Sequence, residues 1–97
     1  MRVKFHPDAR LDLREGKAFY RHRSPLAAVT FAQEIDRAIS RITEAPTRYQ
    51  NGELGTREFA LPWRFPYTVV YLVKDRLVVI VAVAHHSKEP GYWHHRI

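Results

Sequence analysis

Six side chains carry most of the chemistry this chain could perform: Arg57, Arg64, His85, His86, Tyr92 and Arg96. They are the types that metal-free RNA cleavage requires. A base takes the 2′-hydroxyl proton, an acid protonates the leaving oxygen, and cations stabilise charge on the phosphorane. Histidine suits the first two roles because its pKa lies near neutrality. Arginine suits the third because its planar fork matches phosphate oxygens. Three of them also have a plain role: Arg57 and Arg64 as solvated charges, His85 as a hydrogen-bonded residue at a strand end. Whether neighbouring strand ends gather the six at one sheet edge is a question for the fold.

A metal site is the competing use of the histidines, which occur as the pairs His85-His86 and His94-His95. Adjacent residues of a strand point to opposite faces, so one pair cannot chelate easily. No carboxylate–histidine constellation surrounds them, and there is no cysteine. Disulfides, thiolate sites and a cysteine nucleophile are excluded, and no metal or cofactor is expected. Trp63, Trp93 and Tyr92 have rings that could stack on bases. They read better as core or interface anchors. Lys88-Glu89-Pro90-Gly91 reads as a turn.

The elements that must position these groups centre on Tyr67 to His86, YTVVYLVKDRLVVIVAVAHH. Two runs of β-branched and aromatic residues flank Lys74-Asp75-Arg76, a break that fits only a hairpin turn. Arg2 to His6 alternates polar and apolar as a short half-buried strand does. Pro7 and Asp8 suit the first turn of a helix. Ala9, Leu13, Gly16 and Tyr20 fall at helical spacing, with Gly16 costing about 1 kcal/mol relative to alanine. Ser24-Pro25 is an N-cap with proline at the first helical position. Ala28, Phe31, Ala32, Ile35, Ala38, Ile39 and Ile42 make one apolar stripe, ending by Ala45 because Pro46 follows. The link between the helices is short enough to force a helical hairpin. Thr47 to Thr56 reads as loop, Arg57 to Leu61 as strand, and Pro62 to Pro66 as a break.

The order is β-α-α-β-β-β. It predicts one α+β domain over residues 1–97, a helical hairpin on a mostly antiparallel four-stranded sheet. Two helices cannot cover both faces of that sheet. The last strand is apolar on both sides, so its far face needs Tyr92, Trp93 and a partner segment. The net charge of +6 points to an acidic partner. No apolar stretch is long enough for a signal peptide or a membrane span, so the expected setting is the cytoplasm, away from membranes.

In this order the chain resembles the RelE/ParE superfamily of type II toxin-antitoxin toxins, the ParE-like, plasmid-stabilisation branch most closely. The resemblance runs through Val3-Lys4-Phe5-His6-Pro7-Asp8-Ala9, Ser24-Pro25, Ile42 to Pro46, Gly55-Thr56-Arg57 and Phe65-Pro66-Tyr67. It is sharpest in Val81-Ala82-Val83-Ala84-His85, then Pro90-Gly91-Tyr92-Trp93 and Arg96. It implies the same β-α-α-β-β-β fold and a cognate antitoxin with an acidic or amphipathic C-terminal segment. Operator DNA is then engaged only indirectly, through the antitoxin. The resemblance also implies one of two targets. ParE-like members inhibit DNA gyrase and would arrest growth by binding. RelE-like members cleave mRNA on the ribosome, and the six residues named first would be their partial equivalent. No lysine lies between Lys17 and Lys74, which departs from the RelE pattern and favours gyrase. A non-toxic corepressor subunit is a third possibility, although no recognition-helix signature supports it.

Overall fold

A computed structural model describes residues 1–97. The chain opens with β1 (Arg2–Phe5), followed by α1 (Pro7–Arg23) and α2 (Pro25–Glu44). Then come β2 (Gln50–Asn51), β3 (Arg57–Ala60), β4 (Tyr67–Lys74) and β5 (Leu77–His85). The sheet runs β1-β5-β4-β3-β2, with β1 parallel to β5 and all other pairs antiparallel. Five strands correct the expected four. The additional strand lies in the stretch read as loop, where Gln50 pairs with Glu58 and Asn51 with Arg57. Two residues have no alternation to read, and their pairing with β3 alone makes them a strand.

Local signals set both helix starts. His6 lies outside β1, and its Nδ1 accepts the Asp8 N–H at 3.0 Å, capping α1. Ser24 Oγ accepts the Ala27 N–H at 3.4 Å, capping α2 directly after α1 ends. The helices pack closely because Gly16 has no side chain. A Cβ there would lie 2.9 Å from two ring carbons of Phe31 and 3.3 Å from the Tyr67 hydroxyl. The propensity cost of this glycine is offset by the close approach it permits.

The main core lies between helices and sheet. Phe31, Ile35, Ala38 and Ile42 of α2 are buried against Val69, Tyr71, Val78, Ile80 and Val83. Burying a large apolar side chain contributes roughly 1.5–3 kcal/mol, so this layer dominates stability. The Tyr71 hydroxyl reaches out of it to donate to the Pro46 carbonyl at 2.6 Å.

A register shift explains why β5 looks apolar on both sides. Val70 pairs with Ala82, but the next residue, Tyr71, pairs with Ile80. Val81 is therefore a β-bulge, and the inward-facing set passes from Val78 and Ile80 to Val83. On the far face, Val70, Val81, Ala82 and Trp93 form a second buried cluster, flanked by Leu72, Ala84 and Tyr92. The C-terminal tail thus covers the upper half of that face. The lower half, with Leu72, Leu77 and Val79, stays half-exposed.

The β4–β5 turn is strained. Asp75 has φ 50° and Arg76 has φ 63°, the left-handed pair that a two-residue hairpin loop demands. Aspartate tolerates this geometry better than arginine. Arg76→Gly should therefore stabilise the fold by about 1 kcal/mol, read as a higher urea midpoint at unchanged slope. A lower midpoint would show that the Arg76 side chain makes a compensating contact.

Candidate functional site

The best-built polar centre lies where the edge of β5 loses its neighbour. β1 ends at Phe5, and its last link is the His6 N–H donating to the Ile80 carbonyl at 2.9 Å. Above that point, side chains replace the missing strand. The Val83 N–H donates to Asp12 Oδ2 at 3.1 Å. The Val81 carbonyl accepts from Arg96 Nη1 at 3.0 Å. Arg96 also forks onto Asp12, with Nη1 2.7 Å from Oδ2 and Nη2 3.2 Å from Oδ1. The Tyr92 hydroxyl adds a third donor to Oδ2 at 2.9 Å. Both charges are withdrawn from water, the Arg96 side chain 6% exposed and that of Asp12 9%. Arg96 Nε is buried without a hydrogen bond, 3.9 Å from Asp8 Oδ2.

This environment fixes protonation states. Burial disfavours the Arg96 cation, but the hydrogen bond and charge of Asp12 outweigh it, and the pKa rises. Tyr92 is raised well above the usual phenol range, first by burial and then by the Asp12 carboxylate. Tyr67 is pushed up to about 12, chiefly by burial and next by Tyr20, Glu15 and Asp12. The folded protein therefore keeps phenolic protons that the unfolded chain releases near pH 10. That contribution is complete below about pH 10 and is lost as pH rises through about 12. The urea midpoint should fall across this range, and fall less in Tyr67→Phe. An identical decline in that variant would assign the alkaline loss to other groups.

Of the six residues proposed from sequence, Tyr92 and Arg96 meet at Asp12, and the other four do not join them in one constellation. Arg57 donates through Nη1 to the Tyr49 carbonyl at 2.8 Å and stands opposite Tyr71. His85 stands opposite Tyr67, four residues along β4, roughly 13 Å at the usual strand rise. Its Nδ1 accepts the Ser87 N–H at 3.0 Å, and its ring meets Tyr67 edge-on at 4.9 Å. His86 Nε2 lies 2.9 Å from Thr68 Oγ1. Arg64 is exposed beside the turn between the helices, and Tyr92 and Arg96 are committed to Asp12. His94 and His95 contact Glu53 and Asp8 instead of each other, and no group of three potential metal ligands converges. His85 does border an open cleft of about 350 Å³, with Asp12, Glu15, Phe19 and Lys88 on its walls. A second cleft, of about 610 Å³, lies at the opposite end of β5. Arg2, Lys4, Lys74 and Arg76, with Asp75 as the single acid among them, rim its floor of Leu77 and Val79.

Asp12 is the central residue that sequence reasoning missed. The signal was present: it lies between Ala9, Leu13 and Gly16 on the inward side of α1, where an acidic group requires a buried partner.

This arrangement, with a helical pair on a sheet whose first and last strands run parallel, is the two-layer α+β fold of the RelE/ParE kind. It is similar to a solved chain from "Chromosomal ParDE TA system from P. aeruginosa", with a TM-score of 0.77 and 21% identity. That match covers 88% of this chain and 95% of the other. A comparison with curated proteins gives no match. The family model for the ParE toxin of the type II toxin-antitoxin system parDE matches residues 3–90, and the chain belongs to that family.

Proposed function

We propose that this protein is the growth-inhibiting member of a toxin-antitoxin pair, acting in the cytoplasm by binding DNA gyrase. A co-expressed antitoxin silences it by laying an acidic or amphipathic segment across the lower far face. Operator DNA is then contacted through the antitoxin.

The observation that carries this reading is the half-covered sheet. Trp93 seals Val70, Val81 and Ala82, while Leu72, Leu77 and Val79 remain half-exposed. Arg2 and Lys4 share that face with Leu77 and Val79, their register partners, and Lys74 pairs with Leu77. An apolar floor inside a cationic rim fits a segment with apolar residues on one side and carboxylates beside them. No helix is long and apolar enough to cross a membrane.

The second reading, mRNA cleavage on the ribosome, is favoured by His85 at the mouth of an open cleft beside Lys88. Against it, Tyr92 and Arg96 are taken up by Asp12, and Arg57 by Tyr49.

Two purified assays separate these readings: supercoiling by gyrase on plasmid, and translating ribosomes on a defined message. Loss of supercoiling with the message intact is the expected result. Message cleavage that disappears in a folded His85→Ala variant would overturn it. Normal growth during soluble expression without antitoxin would favour the corepressor reading. Binding of the protein encoded by the adjacent reading frame should weaken as salt rises, because the rim charges are screened. Lys4→Glu should weaken it about 10-fold or more at low salt. Affinity that ignores both would show that the cationic rim takes no part.

A further inference from the structure

We propose that the toxin grips its target with the end of the molecule formed by the helical-hairpin turn and the Pro62–Pro66 loop, and that the target presents an acidic protein surface there. This rests on the reading of the chain as a toxin and names the surface that does the work.

Three large apolar side chains stand free at this end. Trp63 is 93% exposed, Leu26 72% and Phe19 44%. Tryptophan is usually well buried, so an indole left almost wholly in water is the informative exception. The Arg23 guanidinium lies 4.2 Å over the Phe19 ring. Arg23 and Leu26 share a cleft of about 420 Å³ with Arg64, the residue after Trp63. The cleft floor is Tyr20 and Phe65, both buried and edge-to-face at 5.1 Å. Because these rings are locked, the floor is already ordered before any partner arrives, and little freedom is lost on docking.

The charge selects the partner. Arg23 and Arg64 make no ion pair with any carboxylate, and no acidic residue lines the cleft. Exposed Arg21 and His22 precede Arg23 on the last turn of α1. Tryptophan and arginine are the residues most enriched at binding hot spots. A nucleic acid would use the arginines and could stack on Trp63. Leu26 and Val29, exposed one helical turn apart, would have no partner on a phosphate backbone. They favour a protein with carboxylates around an apolar contact.

This surface is remote from the basic rim around Leu77 and Val79, at the other end of β5. Target binding and antitoxin binding should therefore separate by mutation. The test expresses the wild-type chain, the double variant Trp63→Ala/Leu26→Ser, and Arg64→Glu without antitoxin. All three positions are exposed, so urea midpoints should stay together. The double variant should need about 10-fold or more inducer to arrest growth, since each hot-spot truncation typically weakens binding at least that much. Arg64→Glu should shift the same way, and both should still co-purify with the protein from the adjacent reading frame. Arrest at wild-type inducer levels in both variants would overturn the proposal, as would loss of co-purification. A gel shift with duplex DNA or single-stranded RNA that vanishes in Arg64→Glu would overturn the choice of a protein partner. A wild-type chain that never arrests growth would instead overturn the toxin reading, and this proposal with it.

Discussion

Asp12→Ala should lose about 3–5 kcal/mol of folding stability, the usual result of removing one partner from a buried ion pair. The reason is the charge left behind. Arg96 is held 2.7 Å from Asp12 in a site nearly closed to water, and its Nε already lacks a hydrogen bond. Without the carboxylate, the guanidinium retains one hydrogen bond, to the Val81 carbonyl, with only the half-exposed Asp8 carboxylate at 3.9 Å to offset its charge, and the Val83 N–H and Tyr92 hydroxyl lose their acceptor. A domain of this size has roughly 5–15 kcal/mol in total, so the variant should be close to unfolded at growth temperature. The measurement is the urea midpoint at constant slope. Asp12→Leu/Arg96→Met should be less destabilised than either single change, because no charge is then stranded. A loss below about 1 kcal/mol in Asp12→Ala would mean that water reaches the pair and screens it.

Trp93→Ala should cost a similar amount, about 3–5 kcal/mol, but for a different reason. Trp93 is the lid of the far-face cluster, and without it Val70, Val81 and Ala82 face water. These residues adjoin the half-exposed Leu72. The variant would then present one apolar strip along β4 and β5, and self-association should accompany the stability loss. Light scattering alongside the urea titration checks both parts. A monomeric variant of near-normal stability would show that the tail merely rests on the sheet.

The two effects also show what could be read from the chain alone. The α2 stripe, the Ser24-Pro25 junction and the β4–β5 hairpin were legible because each rests on local periodicity or capping chemistry. The far face in need of a second cover was legible as well, since two helices cover one side of a sheet. The strand Gln50–Asn51 was not, because only its pairing with β3 defines it. The bulge at Val81 was hidden in an unbroken apolar run, where no polar residue marks the change of phase. Arg96 and Tyr92 were singled out as chemically capable groups. Their use by Asp12 depends on contacts spanning most of the chain, which residue type and spacing do not encode. Trp63 reads from sequence as a core or interface anchor, and its 93% exposure, a property of the folded surface, excludes the core.

The parallel pairing of β1 with β5 has a kinetic consequence. Arg2 must find Leu77 across almost the whole chain, whereas β4 and β5 meet through a short turn. Loop-closure entropy places the hairpin early and the first strand late on the route to the native state. The amides of the first strand should consequently exchange with deuterium sooner than those of the central hairpin, and a nascent molecule should spend its longest-lived incomplete stage with that sheet edge open.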